Sequence, residues 1–136
     1  MNQVFAFKAW DTVTSTMYDS IYELYFERGV LKEVIFSKEY IAGEEEVKWE
    51  FARLVELLPF IGICDVDDNA IHKGDIVQFT AFDRSVIGVV KWDIDDGFPG
   101  YYIIDSDGSG MIWSFDYDDL KIIGNKFENP ELLKGE

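Results

Sequence analysis

Cys64 and His72 lie eight residues apart, and a thiol beside an imidazole is the smallest apparatus for nucleophilic attack on a carbonyl. His72 is the only histidine in the chain and Cys64 the only cysteine. Multi-histidine metal sites and an internal disulfide are therefore excluded, and any histidine general-base chemistry rests on His72 alone. Around Cys64 the sequence offers no basic residue that would lower the thiol pKa. It follows Ile61 and Ile63, which reads as a small apolar position and not as a nucleophile.

Carboxylates are the other reactive groups in quantity. Asp65, Asp67 and Asn69 alternate as the first ligands of a calcium loop do, but Ala70 stands where the sharp-turn glycine belongs and Ile76 where a bidentate glutamate is needed. The segment reads as a polar turn. Asp93, Asp95 and Asp96, then Asp105 and Asp107, then Asp116, Asp118 and Asp119 punctuate three successive turns. Gathered at one end of a barrel, they would hold Mg²⁺ or Mn²⁺ and make a metal-dependent hydrolase. Such an enzyme needs cations for the substrate phosphate, and only Lys91 and Lys121 lie nearby in sequence. Aspartate is also a common turn residue, so no metal ligand, cofactor or catalytic residue is assigned. The glycine turns at 97–100 and 108–110 lack a following Lys-Ser/Thr and are hairpin loops, not phosphate cradles.

Aromatic side chains remain. Small SH3-like barrels present aromatics to peptides, and Trp10, Tyr101, Tyr102 and Trp113 are the candidate contact residues. Trp92 reads differently. In Val89-Val90-Lys91-Trp92 the strand period places Val90 and Trp92 opposite Lys91, which predicts a buried Trp92.

The elements that must hold these groups follow from apolar periodicity. With 136 residues, 48% hydrophobic and 16% aromatic, the chain has enough apolar mass for one ordinary domain or two very small ones. Val4 to Trp10 alternates as a strand, and Ser20 to Phe36 reads as a hairpin turning at Arg28-Gly29. Gly43, three glutamates and the spacing of Val47, Phe51, Leu54, Val55 and Leu58 predict an amphipathic helix ending at Pro59. From Asp75 the text is all β. Ile76 to Phe82, Val86 to Trp92, Tyr101 to Ile104, Met111 to Phe115 and Lys121 to Ile123 are five short strands, at the spacing of a bent SH3-like barrel. Asn129-Pro130-Glu131 starts a helical turn at the end.

Three stretches together resemble a known family. Phe7-Lys8-Ala9-Trp10-Asp11, then Phe60-Ile61-Gly62 with Asp65 to Asn69 and Gly74-Asp75-Ile76-Val77, then Ile123-Gly124-Asn125 with Phe127-Glu128-Asn129-Pro130-Glu131-Leu132-Leu133 follow the order and spacing of the YopX family of bacteriophage and prophage proteins. The resemblance implies a phage or prophage accessory protein working in the host bacterium, and brings no catalytic residue with it. Asn69-Ala70 departs from the family's Asn-Gly at that turn. The family is extended just before Phe60, which shortens the predicted helix to about 44–54 and leaves Val55 to Ile63 extended. The expected fold is mainly β. Residues 1–60 form a β-hairpin region with that helix, and 61–136 form a small SH3-like barrel with a C-terminal helical turn.

The charge narrows the partners. The formal net charge is −15 and the pI about 4.2, with the acid concentrated in the second half: net −5 over 1–60 and −10 over 61–136. Such a surface repels phosphate, so direct nucleic-acid or anionic-membrane binding is not expected. No run approaches the roughly 18 apolar residues of a membrane span, and Met1 is not followed by a secretory leader, which predicts the bacterial host cytoplasm. The expected role is a non-enzymatic acidic module that binds a host or phage protein with a basic surface. Mimicry of nucleic acid is a special case, and self-association is compatible with it. The rivals are the aspartate-based hydrolase and a purely structural, oligomeric phage component. Excess carboxylate also implies self-repulsion, screened over about 10 Å at 0.1 M salt. Added sodium chloride at neutral pH should raise the melting temperature, and a melting temperature that falls with salt would contradict the repulsion.

Overall fold

The computed structural model describes residues 7–19, 21–41 and 43–133, so the Val4 to Ala6 portion of the first expected strand lies outside the described residues. The fold is mainly β. It divides into two compact units, one ending at Pro59 and the other beginning at Phe60.

The first unit starts with β1 (Phe7–Asp11), which pairs antiparallel with β2 (Thr16–Tyr18) and, on its other edge, with the first half of β6 (Val55–Cys64). Asp11 closes the β1–β2 turn: its Oδ1 accepts the backbone N–H groups of Val13 and Thr14 at 2.9 and 3.1 Å. A three-stranded meander follows, β3 (Glu23–Glu27), β4 (Val30–Ile41) and β5 (Glu44–Phe51). Arg28 and Gly29 both take positive φ, 52° and 79°, the twist a two-residue hairpin needs. Ala9, Val34 and Phe36 form the core, with the Tyr18 ring stacked on Phe36 at 3.9 Å.

The helix expected near 44–54 is not formed. Glu44 to Phe51 is strand β5, and only Ala52–Leu54 makes a single 3₁₀ turn. The cause is non-local. β4 is twelve residues long, and β5 runs along it from Ile41↔Glu44 to Glu33↔Phe51, so a backbone ladder replaces the internal hydrogen bonds a helix would have made. Val55 onward is extended.

In the second unit the latter half of β6 pairs with β7 (Ala70–His72). β8 (Asp75–Ala81), β9 (Arg84–Asp95), β10 (Phe98–Asp105), β11 (Ile112–Trp113) and β12 (Lys121–Asn125) make one antiparallel sheet in the order β11-β10-β9-β8-β12. It curls as a half-barrel. Val77, Phe79 and Ala81 project at the strand period into the hollow, where they meet Val86, Val90, Ile103, Trp113 and Leu120. Phe79 is the centre, stacked on Tyr117 at 4.2 Å and edge-on to Trp113 at 5.5 Å.

Asn125 reverses the chain after β12, its Oδ1 accepting from the N–H groups of Phe127 and Glu128. The Phe127 ring then lies over Gly74, where a Cβ would stand 2.8 Å from it, and the Lys126 N–H reaches the Gly74 carbonyl. The helical turn expected after Asn129 is the 3₁₀ turn Pro130–Leu133, which lies against β9 with Leu132 and Leu133 half-buried. This tail is part of the second unit's packing. Truncation after Asn125 should remove several kcal/mol, on the scale of about 1.5–3 kcal/mol per fully buried large apolar side chain. An unchanged melt would show the tail to be a free docking peptide.

Gly88 marks the tightest strand contact. A Cβ there would lie 2.5 Å from Ile103 Cγ2 and 2.7 Å from the Ile104 carbonyl oxygen, so β10 must shift to admit one. Gly88→Ala should cost about 1–3 kcal/mol by overpacking, read as a lowered denaturation midpoint.

Candidate functional site

Several of the carboxylates that could have gathered around a metal instead accept backbone or indole N–H groups at separate places in the fold. Asp65 Oδ1 accepts the N–H groups of Asp67 and Asn69, and its Oδ2 accepts that of Ile122 at 2.9 Å. Asp105 Oδ1 accepts from the Asp107 N–H, and its Oδ2 from the Trp113 indole N–H at 3.1 Å. Asp75 accepts from the His72 backbone N–H at 2.8 Å. Asp93 and Asp119 take the N–H groups of Ile94 and Thr80. Among the described residues no group of three or more His, Cys, Asp or Glu side chains is placed to hold a metal ion.

Two exposed aspartates are shifted by these contacts. The Thr80 side chain and its backbone N–H hold the Asp119 carboxyl below the ordinary carboxylate value, and the hydroxyl and N–H of Ser109 do the same for Asp107. A carboxyl lowered by folding contributes stability above its unfolded pKa and loses that contribution as pH falls through its folded value. A double variant, Asp107→Asn with Asp119→Asn, should therefore melt lower than the parent near neutrality and converge with it in strong acid. Curves that stay equally separated at every pH would contradict this.

Cys64 and His72 do not form a pair. The β6–β7 ladder matches Phe60 with His72 and Cys64 with Ala70, with an irregularity between them. Cys64 is exposed, while His72 is buried, its Nδ1 3.2 Å from the Ala70 carbonyl and its ring 5.9 Å from that of Phe60.

The four candidate aromatics separate as well. Trp10 is half-buried in β1 of the first unit, between Met17 and Glu56. Trp113 is a core residue at 6% exposure with its indole N–H held by Asp105, so it presents no surface to a ligand. Tyr101 and Tyr102 are consecutive on β10 and project from opposite faces. The Tyr102 hydroxyl donates to the Phe98 carbonyl at 2.9 Å, and Tyr101 packs edge-on against Trp92 at 5.0 Å.

Trp92 is the correction of most consequence. It is not buried: 57% of it is exposed. β8 pairs with β9 only from Ala81↔Arg84 to Ile76↔Val89, whereas β9 runs on to Asp95 and turns tightly at Asp96 and Gly97, φ 50° and 83°. Beyond Val90 the β9–β10 hairpin is a two-stranded arm overhanging the sheet, and the face that is core at Val90 and Ile103 becomes surface at Trp92, with the half-buried Tyr101 still packed against the core. Ile94 at 61% and Phe98 at 69% complete an apolar arm studded with Asp93, Asp95 and Asp96, with Lys91 the lone cation between Lys91 and Tyr102. The arm was readable in principle. Asp96-Gly97 is a strong two-residue turn signal, and counting back from it makes β9 five residues longer than the seven of β8.

A small curled β-sheet unit and a β-meander unit are what the fold defines, a mainly β protein of two compact parts. The YopX protein family model matches residues 6–134, and the chain belongs to that family. Its structure is similar to that of protein EF1440 from Enterococcus faecalis, at 20% identity and a TM-score of 0.62, covering 94% of this chain and 96% of that one. It is also similar to protein yopX from Bacillus subtilis, at 19% identity and a TM-score of 0.55, over 93% and 96% of the two chains. No curated protein matches.

Exposure separates the two tryptophans of the second unit in a way a melt can read. Trp113→Ala should cost about 3–5 kcal/mol, as removal of a large core aromatic does. Trp92→Ala should leave the denaturation midpoint nearly unchanged, and a large loss there would return Trp92 to the core.

Proposed function

We propose that this protein is a non-enzymatic accessory protein of a phage or prophage that binds a basic protein inside the bacterial host, with the β9–β10 arm as its contact surface. The overhanging arm is the observation that carries the reading. Trp92, Ile94 and Phe98 are large apolar side chains more than half exposed on a chain of net charge −15; Trp92 and Ile94 alternate with Asp93 and Asp95 along β9, and Phe98 stands opposite Asp95 on β10. Exposed apolar side chains rimmed by charge of one sign are what an interface for an oppositely charged partner requires. Membership of the YopX family supports the phage context that the sequence resemblance implies, and the second unit's net −10 supports long-range attraction for a cation-rich surface.

Binding to basic host proteins should weaken steeply with salt and fall by about tenfold or more in Trp92→Ala, the loss of one interfacial anchor. Because Trp92 does not support the core, that variant should fold normally. Salt-independent binding, or binding indifferent to Trp92 and to Asp93→Lys with Asp95→Lys, would defeat the proposal.

A further inference from the structure

Besides its apolar face, the arm has a backbone edge along which no strand is paired among the described residues. The Val90 carbonyl accepts from the Gly74 N–H, on the side of β9 away from β10. Backbone polar groups alternate along a strand, so those of Trp92 and Ile94 point to that same outer edge. Two facts agree with this parity. Ile94 stands opposite Pro99, which has no N–H to offer, and the Ile94 N–H is met from outside the ladder by the Asp93 carboxylate at 2.7 Å. β8 has no described residue paired with β9 beyond Val89, so from Trp92 to Ile94 the edge carries no partner strand among the described residues.

We infer that this edge of β9 accepts an added β-strand from the basic partner, an extended segment in which apolar and basic residues alternate. The inference rests on the reading of the arm as a contact surface and specifies how that surface is used. Backbone pairing with Trp92 supplies an N–H and a carbonyl. The side-chain pattern follows from the two faces of the strand. Apolar residues of the incoming segment lie beside Trp92 and Ile94 on one face, and lysine or arginine lies beside Asp93 and Asp95 on the other. The Asp93 carboxylate at the Ile94 N–H blunts the edge in the free protein, as charged side chains do on exposed edges. A basic side chain in the partner would draw that carboxylate away and open the edge to the strand that carries it.

The probe is an octapeptide of alternating lysine and valine, compared with a block peptide of the same composition and with versions N-methylated at every second residue. The alternating peptide should bind more tightly than the block peptide. N-methylation in one parity should weaken it by about tenfold or more, a lost buried hydrogen bond or two, while the other parity should bind as the parent does. Amide exchange at Trp92 should slow in the complex. Tolerance of N-methylation in both parities, or unchanged exchange at Trp92, overturns strand addition. If such binding is still lost in Asp93→Lys with Asp95→Lys, the arm stands as a contact surface and only the pairing falls. If the peptide ignores those variants and Trp92→Ala too, the contact surface falls with it. A rise in the protein's own mass on light scattering that disappears in Trp92→Pro would assign the edge to a second copy and overturn the proposal.

Discussion

The Asp65 carboxylate holds the second unit's loops to its sheet. One oxygen gathers the N–H groups of Asp67 and Asn69 and fixes the turn between β6 and β7, and the other reaches the N–H of Ile122, 57 residues on, in the last strand of the sheet. The Val66 N–H adds a bond to the Leu120 carbonyl beside it. A charged oxygen accepting backbone N–H groups makes a stronger hydrogen bond than a neutral one, and it resolves the chief difficulty of this composition. With 27 acids and 12 bases, most carboxylates can have no cationic partner. Backbone amides at turns serve in place of lysine and arginine.

Asp11, Asp75 and Asp105 repeat that solution. Each is nearly buried, each accepts from a backbone N–H close by in sequence, and no buried side-chain polar atom among the described residues lacks a partner. Burying a carboxylate costs several kcal/mol unless it is hydrogen-bonded, so these aspartates are fixed by the turns they close. Among the described residues they do not gather with other His, Cys, Asp or Glu side chains into a group of three or more placed to hold a metal ion. Of the aspartates that punctuate three turns in sequence, Asp105 and Asp107 close the turn they sit in, and Asp119 ties its turn to the Thr80 N–H. Most of the other acids whose burial is described face solvent, and the net charge of −15 gives the protein its long-range field.

The arm follows from strand length. A strand has both backbone edges paired only where neighbours flank it, and β9 outlasts β8 by the stretch that carries Trp92 and Ile94. The chain thereby exposes large apolar side chains and an unpaired backbone edge in the same place. Edge protection is usual in β proteins, and the short β11 and the Asp93 carboxylate on the arm are both of that kind. An overhang guarded by acid favours basic partners and resists pairing with other acidic edges.

Residue chemistry by itself determined the mainly β fold, the tail and most turns, because these depend on neighbours a few positions apart. Alternating apolar residues mark β8, β9 and β12; Arg28-Gly29 and Asp96-Gly97 mark hairpins; Asn125 and Asn129-Pro130 mark the reversal and the final 3₁₀ turn. The order of three motifs was enough to show the family. Tertiary structure decided the rest. Glu44 to Phe51 has helical spacing, yet a long β4 offers it a ladder, and no local signal weighs a strand partner against a helix. Trp113 and Trp92 look alike in sequence, one followed by Ser114 and the other by Asp93, yet one is in the core and the other on the arm. Alternation tells which face of a strand a residue occupies, but whether another element covers that face depends on where the neighbouring strand ends.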